Sequence, residues 1–353
     1  MKRTLVIIAA VAGVLLLAAA GLGALAWCKL DSLHQDTVQV VKKPDIVAVP
    51  TPEIRQDETL VKLEETPEDV GEDYQVDIDE ETAAQLKQED IFETAVIDEN
   101  VINVLLVGQD TGLEWNASTR SDSCMILSYD RAAGSVKTVS VMRDTWTPIE
   151  GHGWNRINAA YSFGGVGLLI NTINEVYDLD IQYYVITGFD EFEAVIDELG
   201  GLDMELTAKE AAYLNKTCGT DLAEGMNHLN GAMALMHARN RRTGDGDFGR
   251  IRRQRDLLLA AYKKVRSISD VGTWLSLMEF GMGNIRTNID PAMMVTLGLE
   301  ALQNDDLQIA YGRVPQDGTW SYAEKDGKSV LSVDFDENAA YIKQFLYGEQ
   351  PTE

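Results

Sequence analysis

The chain has 353 residues, 45% of them apolar and 25% charged, the composition of a globular protein rather than a wholly disordered one. Its 57 acidic residues outweigh 30 basic ones to a formal charge of −27, which excludes a general nucleic-acid binder, because neutralising phosphates needs a basic surface. Three cysteines without a CxxC pair or a Cys/His cluster exclude a dense disulfide framework and a zinc-ribbon site.

Residues 5–27 carry no charge, follow Lys2 and Arg3, and precede Lys29. A helix of this length spans about 34 Å, enough for a hydrocarbon core of about 30 Å. The basic flank lies on the N-terminal side, so the positive-inside rule puts the rest of the chain outside the cytoplasm. A cleaved signal peptide is the rival reading, because Ala24-Leu25-Ala26 fits a small-x-small cleavage site. The apolar run is longer than a signal core, and bulky Trp27 before Cys28 does not suit a lipoprotein site. The expectation is a cytoplasmic tip and single-pass anchor over 1–30 in the cell membrane, with the remainder extracytoplasmic.

Residues 31–100 hold 21 acidic and five basic residues and four prolines. Like charge and low hydrophobicity disfavour collapse, so this stretch reads as an acidic linker, with a short helix expected within 80–98. From residue 101 the texture changes. The run Val101-Ile102-Asn103-Val104-Leu105-Leu106-Val107 predicts a buried strand, and 124–129 and 136–141 predict two more around a turn. Helical spacing follows at 165–177, a strand at 183–187 and a helix at 189–199 stopped by Gly200-Gly201. Further helices are expected at 229–238, 251–268, 291–302 and 337–347, and late strands at 307–311 and 330–333. This alternation predicts an α/β domain over 101–353, an α-β-α layered arrangement around a central mixed sheet.

Walker loops, GxSxG elbows and GxGxxG turns are absent, and the four histidines form no metal-binding pair. What stands out are arginines and aspartates in segments next to strands: Asp110, Arg120 with Asp122, Arg143 with Asp144, and Arg156 with Asn158. Seven arginines then fall between Arg239 and Arg255, interleaved with Asp245 and Asp247. Arginine offers a planar fork that binds phosphate in a bidentate way, so several around one ligand suit a pyrophosphate. Aspartates would repel that anion unless a divalent cation sits between, and Asp110 and Asp122 are hard oxygen donors suited to Mg2+, or Mn2+ in its place. A solvated salt-bridge lattice is the plainer reading of the 239–255 run alone. The apolar content of 165–176, 189–199 and 254–282 fits a large core or a lipid pocket, the core being the simpler account.

The motifs Val107-Gly108-Gln109-Asp110, Thr119-Arg120-Ser121-Asp122-Ser123, Ser140-Val141-Met142-Arg143-Asp144-Thr145 and Arg156-Ile157-Asn158-Ala159-Ala160-Tyr161 occur in that order. They continue with Leu199-Gly200-Gly201-Leu202-Asp203, Leu229-Asn230-Gly231, Ala238-Arg239-Asn240-Arg241 and Asp247-Phe248-Gly249-Arg250-Ile251-Arg252-Arg253-Gln254. Together they resemble the LytR-CpsA-Psr family of bacterial cell-envelope proteins over about 101–265. The resemblance implies a Mg2+-dependent phosphotransferase that moves a glycopolymer from undecaprenyl pyrophosphate to peptidoglycan at the cytoplasmic membrane, with no nucleic-acid partner. It places metal-binding aspartates on Asp110 and Asp122 and pyrophosphate-binding arginines on Arg120, Arg143, Arg239, Arg241 and Arg250. Arg156, Asn158, Asp247, Arg250 and Gln254 form the substrate-binding set. It also implies a polyprenyl chain lying among the apolar helices. The chain departs from the family pattern at Arg156 (often lysine), Met142 (often proline) and Gly112 (often arginine). A pyrophosphatase using the same site, or a non-catalytic envelope regulator, remains an alternative, and residues 305–353 carry no assigned role.

Overall fold

A computed structural model describes residues 34–35, 38–43, 87–109, 112–116, 119–243, 246–268, 271–304 and 307–348. The anchor expected within 1–30 lies outside them, and among the described residues no helix is long and apolar enough to cross a membrane.

In chain order the strands and helices are β1 (His34–Gln35), β2 (Val40–Val41), β3 (Ile91–Phe92), β4 (Val101–Gln109), β5 (Ser121–Asp130), β6 (Ser135–Val141), β7 (Trp146–Ile149), β8 (Gly153–Arg156) and α1 (Ile157–Tyr177). Then come β9 (Tyr183–Thr187), α2 (Phe189–Glu198), β10 (Leu202–Leu206), α3 (Ala208–Cys218), β11 (Gly225–Leu229), α4 (Gly231–Ala238), α5 (Gly246–Arg266) and α6 (Val271–Gly283). The chain closes with β12 (Arg286–Thr287), α7 (Pro291–Gln303), β13 (Gln308–Val314), β14 (Trp320–Lys325), β15 (Lys328–Val333) and α8 (Phe335–Tyr347).

Among the described residues seven strands form the central sheet in the order β1-β12-β9-β4-β5-β6-β13. It is mixed: β4 runs parallel to β9 and antiparallel to β5, and β13 runs parallel to β6. The period-two rule divides β4 between two cores. Leu105 and Val107 join Cys124 and Ile126 under α1 and α8, while Val104 and Leu106 join Met125 and Leu127 under Leu258 of α5, Met282 of α6 and Leu297 of α7. These two apolar layers make the expected α-β-α sandwich. A third core, under α2, α3, α4 and the antiparallel β10–β11 pair, leans on Leu257, Ala261 and Val265, one stripe of α5.

Three expectations need correction. Residues 87–98 contain β3 and no helix. Leu229 ends a strand, so the helix expected from that residue starts two residues later. The described ends of the acidic stretch also belong to the domain rather than to a free linker: β2 pairs with β3, Ile91 is fully buried, and β1 adds an edge to the main sheet. Glycine explains how this strap lies so close to α1. Glu89 N–H donates to the Gly164 carbonyl at 2.8 Å, and a Cβ at Gly167 would stand 1.8 Å from the Glu89 oxygen. Gly165, at φ +69°, interrupts α1 at the same place, a conformation that costs glycine little.

Residues beyond 305 are integral. β13 extends the sheet, Ile342 and Leu346 of α8 enter the core beneath α1, and the β14–β15 hairpin docks beside the segment after β6, where Leu331 N–H donates to the Asp144 carbonyl at 2.9 Å.

Candidate active site

The ladder registers bring the C-terminal ends of β4, β6, β9 and β13 and the start of β5 to one edge of the sheet. Gly108 lies between Ser123 and Thr187, and Val141 lies beside Val314. The chain leaves β4 for β5 on one side and returns as β9 on the other. That makes β4 a switch point, the place where open α/β sheets bind ligands.

At the centre of this edge the β4–β5 ladder is irregular. Gly108 pairs with Ser123 but Gln109 pairs with Ser121, so Asp122 is the extra residue of a bulge. Bulges re-aim side chains next to active sites. The side chain of Asp122 and the whole of Asp110, which follows the last residue of β4, lie outside what the structure describes, as does the side chain of Asp247. The buried hydroxyls of Ser121 and Ser123 have no hydrogen-bond partner among the described residues. Gln109 is fully buried and held by the Tyr161 hydroxyl, which donates to its Oε1 at 2.5 Å, while its own amide donates to the Gly112 carbonyl.

On the β6 side, Arg143 follows the strand and Arg156 ends β8, and both are buried. One Asp144 oxygen, Oδ1, serves both, 3.3 Å from Arg156 Nη1 and 3.5 Å from Arg143 Nε. Arg156 Nη2 also donates to the Ser329 carbonyl of β15. Asn158, in the first turn of α1, takes the Arg143 carbonyl through its backbone at 3.4 Å, and its side-chain oxygen has no partner among the described residues.

On the β9 side, α2 begins directly after the strand, and its Phe189 ring lies 4.4 Å beneath the Arg239 guanidinium. Arg239 and Arg241, both half-buried, stand on the turn after α4. Arg250 and Gln254 share one face of α5 at an i,i+4 spacing and are both buried. Gln254 is fully enclosed, yet neither its Oε1 nor its Nε2 finds a partner among the described residues. A buried amide missing both bonds costs on the order of 1–3 kcal/mol, which a ligand between these groups would offset. Arg120 is half-buried immediately before β5. From β9 to β6 is three strand spacings, about 14 Å. Arg143 thus follows β6 on one side of the bulge, and Arg239, stacked on Phe189, lies beyond the end of β9 on the other.

Two arginines of the same edge have other work. Arg253 is buried and bonded to protein groups throughout, with Glu210 accepting from its Nε at 2.6 Å. Arg286, which sequence reading did not single out, donates to the Leu113 carbonyl at 2.6 Å and holds the loop after β4. Arg252 faces solvent. Sequence reading also passed over Glu191. This half-buried carboxylate lies in the first turn of α2, its Oε1 3.8 Å from where a Cβ on Gly112 would sit, and burial raises its pKa.

The fold is a layered α/β one with arginines placed around the switch point of a mixed sheet. More particularly, the chain belongs to the LytR_cpsA_psr family, whose sequence profile matches residues 60–344. It is 34% identical over 242 residues to the polyisoprenyl-teichoic acid–peptidoglycan teichoic acid transferase TagU of Bacillus mycoides, covering 66% of this chain and 77% of that one. It is 30% identical over 257 residues to the regulatory protein MsrR of Staphylococcus aureus, covering 72% and 77%. Among solved structures, TagT bound to LIIa-WTA aligns with a TM-score of 0.58 at 26% identity, over 72% of this chain and 94% of that one.

Proposed function

We propose that this protein is a phosphotransferase that moves a glycopolymer from a polyprenyl pyrophosphate carrier, undecaprenyl pyrophosphate in particular, onto peptidoglycan. The observation that carries the reading is that Arg143, Arg156 and Arg250 are buried cations, that the enclosed Gln254 amide finds no partner among the described residues, and that Asp122 forms a bulge at the switch-point edge. The similarity to TagU supports the substrate class.

In this reading Arg143 and Arg156 hold one end of the pyrophosphate and Arg239, Arg241 and Arg250 the other, with Arg120 between. A sugar hydroxyl of peptidoglycan attacks the phosphorus nearest the glycan. A new P–O bond forms as the bond to the bridging oxygen breaks, and polyprenyl phosphate leaves. Guanidinium groups fixed beforehand stabilise the charge that builds on the bridging and non-bridging oxygens. Asp110 is our candidate to take the hydroxyl proton. Among the described residues no group of three or more His, Cys, Asp or Glu side chains is arranged to hold a metal. By residue type Asp110 and Asp122, together with the buried Ser121 and Ser123 hydroxyls that find no partner among the described residues, offer hard oxygens, the chemistry that suits Mg2+ or Mn2+. Such an ion, when bound, supplies positive charge to the phosphate oxygens.

The test uses full-length protein, labelled lipid-linked glycopolymer, and peptidoglycan. Label appearing on peptidoglycan supports transfer. Release of free glycopolymer phosphate at the same rate without peptidoglycan identifies a pyrophosphatase instead, and no turnover leaves a regulator of the kind MsrR is named for. The anchor over residues 5–27 is proposed to hold the domain outside the cytoplasmic membrane. Added protease should remove the domain from intact protoplasts, and full protection would overturn that placement.

A further inference from the structure

Arg253 is enclosed by protein groups rather than left open to solvent. Its side chain is 2% exposed and each guanidinium nitrogen donates to a protein oxygen. Nε donates to Glu210 Oε1 at 2.6 Å, Nη1 to the Asn240 carbonyl at 2.6 Å, and Nη2 to the Thr243 hydroxyl. Asn240 and Thr243 bracket the turn that carries Arg241, and Arg239 immediately precedes it.

Glu210 is itself fixed. It closes the capping box of α3, its Oε2 accepting from the Thr207 backbone at 3.0 Å and the Thr207 hydroxyl at 2.8 Å. Its other oxygen accepts from Arg253 at 2.6 Å and, more distantly, from Arg252 Nη2 at 3.5 Å, so Glu210 is held from both ends. The Asn240 side chain adds a local bond, accepting from Arg242 N–H at 2.9 Å. On α5, Arg253 adjoins Gln254 and lies one turn from Arg250.

We infer that Arg253, clamped by Glu210, is a positioning residue that fixes the distance between two sets of phosphate ligands, Arg239 and Arg241 on the turn and Arg250 and Gln254 on α5. The geometry is specific to arginine, because only a planar fork reaches a carboxylate, a carbonyl and a hydroxyl at once. A lysine keeps the charge and loses the fork. The inference rests on the proposed function for the identity of the ligand, but not for the network itself.

The experiment compares Arg253→Lys with wild type in the full chain. It reads thermal unfolding, kcat per folded molecule in glycopolymer transfer, and affinity for farnesyl pyrophosphate, a short polyprenyl pyrophosphate, by calorimetry. Arg253→Lys should remain folded, lose at least tenfold in kcat and bind farnesyl pyrophosphate about fivefold more weakly. In an Arg239→Ala/Arg241→Ala background the same change should cost less than a further twofold, since the residues it positions are gone. A merely structural arginine would lower the melting temperature without changing kcat per folded molecule or probe affinity, and that result overturns the inference. So does a loss that multiplies in full on the double-variant background. If Arg253→Lys does not fold, Thr243→Val decides, because it removes one bond to the turn and leaves the buried ion pair. Reduced kcat then supports positioning and wild-type kcat overturns it. Should Arg239→Ala/Arg241→Ala itself transfer and bind at wild-type levels, it is the proposed site that fails.

Discussion

Asp144 and Arg156 meet through one oxygen and one nitrogen 3.3 Å apart, and the same oxygen lies 3.5 Å from Arg143. Two like charges from different segments, the end of β6 and the end of β8, are thereby held side by side around one carboxylate. That arrangement lowers their repulsion before any anion arrives. Asp144→Ala leaves two buried guanidinium groups without their shared carboxylate and should lower stability by about 1–3 kcal/mol, the cost of leaving buried polar groups unpartnered, as read from urea unfolding. A loss under 0.5 kcal/mol would show that the two guanidinium groups are held by their other contacts.

Arg239→Ala or Arg241→Ala should each remove a charge-assisted contact of roughly 1.5–3 kcal/mol, which is about one to two orders of magnitude in transfer rate. Asp122→Ala should cost more if it holds a cation. Arg252→Ala, a solvent-facing neighbour, is the control and should transfer at close to the wild-type rate. Initial rates on labelled lipid-linked polymer, with folding checked by circular dichroism, decide the matter. An inactive Arg252→Ala with normal folding would shift the site along α5.

Gly167 marks where the N-terminal strap crosses α1. A Cβ there would stand 1.8 Å from the Glu89 carbonyl oxygen, and backbone cannot yield as a flexible side chain does. Gly167→Ala should therefore destabilise the domain by about 1–3 kcal/mol and speed proteolysis within 87–100. Unchanged melting and unchanged cleavage would show that the strap is not seated there.

His237 is buried at the end of α4, where burial holds its pKa below the ordinary value, with Arg253 and Arg252 pressing the same way and Glu210 and Asp256 opposing. The neutral ring is the folded form. The unfolded chain then binds the proton more readily, so this residue's contribution is fully favourable above about pH 6.5 and declines as pH falls toward the folded pKa. Replacing it with asparagine should flatten the slope of stability against pH between 7 and 5. Parallel slopes for the variant and wild type in urea titrations would assign that pH dependence to other groups.

Cys124 and Cys218 are both free, the first buried in β5 and the second half-buried at the end of α3. Burial pushes the Cys124 thiol up, away from reactivity. Native protein should take up iodoacetamide at Cys218 far faster than at Cys124, and a linked Cys124–Cys218 peptide in a non-reducing digest would contradict the free thiols.

Local pattern made much of this protein legible in its sequence. The apolar run of 101–107, the helical spacing of 165–177 and the turn residues around Gly200-Gly201 mark elements whose identity depends on neighbours a few residues away. Tyr183–Thr187 was readable to the residue. The motif order around Asp110, Arg143 and Arg239 also identified the family, because those residues recur at spacings that survive without knowledge of the fold. What the sequence did not show is pairing. The β14–β15 hairpin is half-exposed and alternates weakly, and β10, which alternates cleanly, pairs with a strand that lies beyond α3; these pairs are stabilised by packing against the segment after β6 and against α5. The arginines make the same point most directly. Arg252 and Arg253 are adjacent and chemically identical, but successive helical residues point about 100° apart. Both reach Glu210, but Arg252 does so from the solvent side while Arg253 is enclosed, and only the docking of α5 on α3 and the turn at Asn240 decides which is which.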